Sequence, residues 1–319
     1  MKHDCHEHKF AGIPTFMRSP YVEIEQIAEY DVGVLGVPVD FCVSYREGAR
    51  YGPRLIREYS SWDRIDGSVF FDVSTGEFKR SNSLRIADLG DVHVWTGDAE
   101  KTNDEIARTV EAIRKKAFPL IIGGDHSITY ASVKGCIAAL RDEQKPLGIL
   151  HFDAHPDVYK DQPGLPRIWH GNPFRALIDE GYIEGRNLIT VGVRGLIQKE
   201  CIDFVQETGI NLIGMPELKK RGLEPVLSDA LAKLGKQCRS VYITFDIDCI
   251  DPSQAPGTGT PEVGGLMAEE IIPMMDKLAE LPLVAFDLTE VNPVFDPSGK
   301  TVMVACELLC RFLMFGLSR

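Results

Sequence analysis

An α/β fold is what the sequence predicts: a parallel sheet with helices over both of its faces. Three observations carry that expectation. Short, almost unbroken apolar runs recur from Val32 to Asp287, as strands buried on both faces require. Segments with apolar residues at helical spacing separate most of these runs, the alternation expected of βαβ units. Acids and histidines gather just after the apolar runs, where the loops of an open parallel sheet converge on a crevice.

The elements follow in order. Val32–Pro38 reads as a buried strand, followed by a polar loop from Asp40 to Pro53 and a helix starting near Arg54. Ser83–Asp88 is the second strand. Asp104–Lys115 places Ile106, Val110 and Ile113 on one helical face and leads into strand Phe118–Ile122. Further strands are expected at Leu147–Phe152, Asn187–Val193, Asn211–Ile213, Ser240–Phe245 and Leu283–Asp287. No Pro/Ser-rich linker, charge block or repeat breaks the rhythm, so one domain over residues 1–319 is expected. About the first 20 residues form an N-terminal arm with a flexible tip, where His3, Cys5, His6 and His8 read as disordered tail rather than as a metal site.

A hydrophobic share of 44% over 319 residues supports a substantial core and excludes the disordered classes. No stretch approaches the roughly 18 apolar residues of a membrane span. The start, Met-Lys-His-Asp-Cys-His, has no apolar signal core, so a cytoplasmic protein is expected. A formal net charge of −12 argues against nucleic acid as a partner and mildly favours a cationic substrate. The eight cysteines form no Cys-x-x-Cys pair and lie mostly inside apolar runs, as reduced, buried side chains would.

Six side chains of metal-ligand type follow three of the apolar runs. They are His126 in Ile-Gly-Gly-Asp-His-Ser, Asp153, His155 and Asp157 in Phe-Asp-Ala-His-Pro-Asp, and Asp246 and Asp248 in Phe-Asp-Ile-Asp. In extended chain, alternate residues share a face, and Pro156 bars a helix through the second motif. Four carboxylates at the mouths of apolar strands need compensation, and two divalent cations would supply it. The set mixes oxygen and nitrogen donors without thiolate, which suits Mn²⁺ and also admits Fe²⁺, Ni²⁺, Co²⁺ or Zn²⁺. Paired ions of this kind turn water into a nucleophile near neutral pH, which points to a binuclear hydrolase. Asp125 is expected to orient or buffer the group from behind.

In order along the chain, these three motifs resemble the signatures of the ureohydrolase family, which comprises arginase, agmatinase and related guanidino-acid hydrolases. Phe10–Arg18, Arg46–Arg57 and Ala255–Glu262 are similar to the agmatinase and guanidino-acid branch. The resemblance implies a three-layer αβα fold on about eight mainly parallel strands, a Mn²⁺ pair, and a homotrimer or homohexamer. It implies one ion held by His126, Asp153, Asp157 and Asp246, and the other by Asp153, His155, Asp246 and Asp248. His170, in Trp-His-Gly-Asn-Pro-Phe, matches the histidine that carries a proton near the leaving amine. Glu290 matches the carboxylate that grips the substrate guanidinium. Asp248 also steadies the tetrahedral intermediate.

The implied reaction is hydrolysis of a linear guanidino compound to amine and urea. Alternatives are release of formamide from a formimino group, hydrolysis of small or alkylated guanidines, and a non-catalytic subunit of a hetero-oligomer. Four positions depart from the common pattern: Pro156, Asn172 in place of Thr, Thr244 in place of Ser, and Thr289 in place of Val. Asn172 and Trp169 lie where the substrate tail should be read. A carboxylate-ended substrate would need a cation, for which Arg167 and Arg194 are the candidates.

Overall fold

The computed structural model describes residues 11–62, 67–140 and 146–317. Among the described residues there are ten strands: β1 (Val32–Val37), β2 (Val69–Asp72), β3 (Glu77–Arg80), β4 (Ile86–Asp91), β5 (Phe118–Gly123), β6 (Leu147–Phe152), β7 (Leu188–Val193), β8 (Asn211–Gly214), β9 (Ser240–Asp246) and β10 (Leu283–Thr289). Eight form one sheet in the order β4-β1-β5-β10-β9-β6-β7-β8. Every pairing within it is parallel.

Two cores sandwich this sheet because alternate strand residues turn opposite ways. Val34, Ile122, Leu150, Phe245 and Leu288 enter one, whereas Leu35, Ile121, Ile149, Tyr242 and Ala285 enter the other. Helices close both faces, so the architecture is the three-layer αβα sandwich expected. Among them are α1 (Gly52–Tyr59), α2 (Ala99–Arg114), α3 (Ile128–Ala139), α4 (Pro173–Asp179), α5 (Lys199–Thr208), α6 (Met215–Arg221), α7 (Leu223–Gln237), α8 (Ala268–Ile271) and α9 (Lys300–Arg311). The tail histidines at 3, 6 and 8 lie outside the described residues.

Two elements differ from expectation. The second strand runs Ile86–Asp91 rather than Ser83–Asp88, because pairing with β1 starts at Val32↔Ile86 and continues to Gly36↔Asp91. Helix α2 starts at Ala99, where the Asp98 carboxylate accepts from the Lys101 N–H and caps it. The antiparallel hairpin β2–β3 had no counterpart in the apolar pattern, since its side chains are largely exposed.

Register decides where function can sit. Phe152 pairs with Phe245, Asp246 with Thr289, and Leu288 with Ile122. The residues after β5, β10, β9 and β6 therefore emerge side by side along one crest.

Candidate metal centre and active-site cavity

His126 reaches that crest through a turn only glycine permits, since a Cβ on Gly124 would stand 1.7 Å from the Val39 carbonyl oxygen. The fully buried ring has two contrasting edges. Nε2 lies 2.8 Å from Thr244 Oγ1, and Thr244 in turn lies 3.4 Å from Thr129, whose hydroxyl donates to Asp287 at 2.8 Å. Because that chain ends on a carboxylate, its hydroxyls donate toward Asp287 and Nε2 carries the ring proton. Nδ1 then presents its lone pair to Asp153 Oδ2 at 3.1 Å, Asp157 Oδ2 at 3.0 Å and Asp246 Oδ2 at 3.1 Å.

Lone pair against three carboxylate oxygens is repulsive unless a positive charge stands between them. Burial opposes a proton on His126, but hydrogen bonding to Asp153, Asp157 and Asp246 outweighs it and holds the imidazole pKa well above its ordinary value. A proton or a metal ion must be there. Donors on adjacent corners of an octahedron with bonds of about 2.1 Å stand about 3 Å apart, and the three distances match that spacing.

The second half of the cluster is built alike. His155 Nδ1 lies 3.3 Å from Asp153 Oδ1 and 3.1 Å from Asp248 Oδ2. Backbone groups aim the acids: the His155 N–H donates to Asp153, the Ala154 N–H to Asp248, and the Asp248 N–H to Asp246. Asp157 is held with φ at 47°, a left-handed conformation rare for a residue with a side chain. All six predicted donors therefore meet, and Asp153 and Asp246 both stand at His126 Nδ1. The buried acids split: Asp246, Asp157 and Asp248 are pushed up by burial and by neighbouring carboxylates. Asp153 is driven well below the usual carboxylate range, because the histidines around it outweigh its burial.

One member escapes the motif reading. His151 is fully buried, with Nε2 2.7 Å from Asp153 Oδ2 and Nδ1 3.1 Å from Thr190 Oγ1. It continues the alternation Asp153, His155, Asp157 one step upstream, and that spacing is the signal by which sequence could have found it.

Behind the donors, Glu290 has φ at 62°. Its Oε1 accepts from the His126 N–H at 3.0 Å and lies 3.2 Å from His170 Nδ1. Its Oε2 is buried and has no hydrogen-bond partner among the described residues, an arrangement costly for an anion unless a ligand donates to it. Asp125 does not touch the donors directly. Its carboxylate accepts from the Cys42 and Ser127 N–H groups, fastening the loop that covers His170. Burial and the nearby Glu290 charge push it up to about 7.

A cavity of about 450 Å³ opens on the cluster, lined by His155, Asp157, Asp246, His170 and Trp169 among others. Asn172 is not on its wall. The Asn172 side chain accepts from the Trp169 N–H and donates to the Arg167 carbonyl, locking the turn before α4. Neither candidate arginine serves the cavity. Arg194 spends its guanidinium on backbone carbonyls, including those of Asp248 and Glu262. Arg167 pairs with Glu180 and Tyr130 beside a separate cleft. Among the described residues, Lys160 is the ammonium on the cavity wall, 3.0 Å from Glu200.

A family model described as the arginase family matches residues 30–315. The chain belongs to the arginase family. It is 36% identical to the guanidinopropionase of Pseudomonas aeruginosa, over 95% of this chain and 92% of that protein. Proclavaminate amidinohydrolase from Streptomyces clavuligerus superposes with a TM-score of 0.83 at 33% identity, covering 96% of this chain and 97% of that one. A hypothetical agmatinase from Burkholderia thailandensis gives 0.81 at 30% identity, covering 96% and 91%. Arginase-family membership agrees with the αβα layers and with a donor cluster at the crest of the sheet.

Proposed function

We propose that this protein is a ureohydrolase that cleaves a linear guanidino compound into an amine and urea at a pair of divalent metal ions, Mn²⁺ first, with Fe²⁺, Ni²⁺, Co²⁺ and Zn²⁺ as substitutes. The observation that carries the reading is His126 Nδ1, buried among three carboxylate oxygens at 3.0–3.1 Å with its other nitrogen engaged. His126, Asp153, Asp157 and Asp246 would hold one ion, and Asp153, His155, Asp246 and Asp248 the other. When bound, such a pair supplies Lewis acidity and a nucleophile derived from water.

The remaining chemistry belongs to the chain. Glu290 offers its unpartnered Oε2 to the planar guanidinium, a charge-assisted contact strengthened by burial. His170, 7% exposed, holds a proton on Nδ1 beside Glu290 and moves protons to the leaving amine. Trp169 packs at a tilt against Tyr159 and His170, with ring centroids at 5.9 and 5.4 Å, and with them walls off water. The substrate tail passes Lys160, Asp161 and Glu200. Two carboxylates against one ammonium favour an amine-ended or neutral tail, whereas a carboxylate-ended tail must draw Lys160 away from Glu200.

One unit spanning the chain, assembled as a trimer or hexamer in the cytoplasm, completes this reading, and light scattering reads the assembly. The deciding experiment incubates Mn²⁺-loaded protein with agmatine, 4-guanidinobutyrate, 3-guanidinopropionate, arginine and small alkylated guanidines, scoring urea. Urea from at least one is expected. Formamide from formiminoglutamate with no urea from any guanidine would replace the reading with the formimino alternative.

A further inference from the structure

Converting a guanidinium ion and water into urea and an alkylammonium ion breaks one C–N bond and forms one C–O bond. Both protons of the water must end on the departing nitrogen. An imidazole that serves this traffic needs a nitrogen free to take up a proton and release it again. The His170 ring is 7% exposed, and its Nδ1 is committed to Glu290 at 3.2 Å. Nε2 is its remaining outlet.

That outlet meets Ser44. The Ser44 N–H donates to Nε2 at 3.1 Å, and the Ser44 hydroxyl oxygen lies 2.8 Å from the same atom. A backbone N–H can only donate, so Nε2 carries its lone pair here and the ring proton sits on Nδ1. A hydroxyl both donates and accepts, so it alone of the two can take part in passing a proton. Ser44 is exposed and lines the cavity that holds the metal-ligand cluster. Its loop is anchored at several points: the Cys42 N–H donates to Asp125, the Cys42 carbonyl accepts from the His170 N–H, and the Gly48 N–H donates to Asp40.

We infer that Ser44 is the positioning and relay residue for His170, joining its Nε2 to the cavity. Nε2 takes up a second proton from the Ser44 hydroxyl as Ser44 Oγ takes one from cavity water, and it returns that proton to Ser44 Oγ as the Ser44 hydroxyl gives its own to the leaving amine. The serine ends as it began, and the imidazole returns to neutral. This inference rests on the ureohydrolase reading and on the role given to His170 there.

The test compares Ser44→Ala and Ser44→Thr with the wild type, each metal-loaded and saturated with whichever guanidine the wild type cleaves best. Ser44→Ala keeps the backbone N–H and removes only the hydroxyl. It is expected to lower kcat about tenfold or more, the scale of a proton-transfer contribution, while KM stays within about twofold. Added imidazole buffer should restore kcat in proportion to its concentration, and Ser44→Thr should keep most of the activity without it. An unchanged kcat in Ser44→Ala, or a loss that imidazole does not relieve, would overturn the relay. Silence of the wild type on every guanidine defeats the functional reading instead, so the two failures are distinct.

Discussion

Two charge clusters in this chain, one half-buried and the other almost wholly buried, use similar side chains to opposite ends. Asp72, Lys79, Asp276 and Arg311 fasten hairpin β2–β3 to the C-terminal helix α9, with Lys79 Nζ 2.9 and 2.7 Å from the two acids and Arg311 2.6 Å from each. Two carboxylates meet two cations, and hydrogen bonds from Arg311 and Ser74 hold Asp72 well below the usual range. At the crest of the sheet, Asp153, Asp157, Asp246 and Asp248 meet imidazoles, and among the described residues no Lys or Arg pairs with them. Their affinities for protons therefore diverge, one acid falling and three rising. A cluster whose charges balance internally is a fastener. One that stays acidic is completed from outside, and that imbalance marks the functional site.

Neutralising one acid in each cluster is the sharpest way to break this contrast. Asp246→Asn should remove a ligand common to both proposed metal sets, dropping bound metal below two ions per subunit and kcat by about a thousandfold or more, since such ions contribute several kcal/mol to the transition state. Asp276→Asn should leave metal content and kcat near wild type. Elemental analysis and urea release read both. Full metal content and activity in Asp246→Asn would refute the assignment.

Next in size is His151. Its Nε2 sits 2.7 Å from Asp153 and belongs to neither proposed ligand set. Residues that orient ligands typically contribute 10–100-fold in metal affinity. His151→Phe should therefore weaken metal binding by about that factor in a chelator competition, whereas His151→Gln, which keeps a donor, should recover part of it. Equal affinity in both variants would make His151 a packing residue only, consistent with its 4.3 Å centroid distance to Phe174.

How much of this was legible in the sequence follows from the range of each interaction. Strands β5, β6, β9 and β10 are buried at nearly every position, so their apolar runs announce them. The end of β4, Leu89-Gly90-Asp91, is partly exposed and closes on a glycine and an acid, and its strand character comes from pairing with β1. The donors were legible because alternation in an extended chain is local. The partners of His126 and His170 were not: Thr244 lies 118 residues from His126, and Ser44 lies 126 residues from His170. Asn172 is a different case: its motif position set the expectation that it reads the substrate tail, whereas the turn directs its side chain to the Trp169 and Arg167 backbone.

The fastening cluster can be probed through stability. Arg311→Met leaves Asp72 and Asp276 without one of their cations and should destabilise the fold by about 2 kcal/mol, the scale of charge-assisted hydrogen bonds. The sign of its pH dependence is set by Asp72. A carboxyl whose folded pKa is depressed adds stability above its unfolded value of about 3.9 and loses it as pH falls toward the folded value. The gap between wild type and Asp72→Asn in urea unfolding should accordingly be full near pH 7 and narrow below pH of about 4. A gap that widens on acidification would mean that the cluster does not bind Asp72 in its charged form.

The smallest effect concerns the cavity wall, where a balanced pair sits beside the unbalanced cluster. Lys160 and Glu200 are 59% and 40% exposed, so water screens their attraction and the pair contributes little to stability. It can still sort substrates, because a carboxylate-ended tail competes with Glu200 for the same ammonium. Glu200→Gln releases Lys160 and should raise kcat/KM for 4-guanidinobutyrate relative to agmatine by about two- to fivefold, the range of an exposed ion pair. Lys160→Gln should move the ratio the other way by a similar factor, with melting temperature unchanged in both. If the two variants shift the ratio in the same direction, or not at all, the tail is read elsewhere on the wall, with Gln162 and Gln198 the next residues to vary.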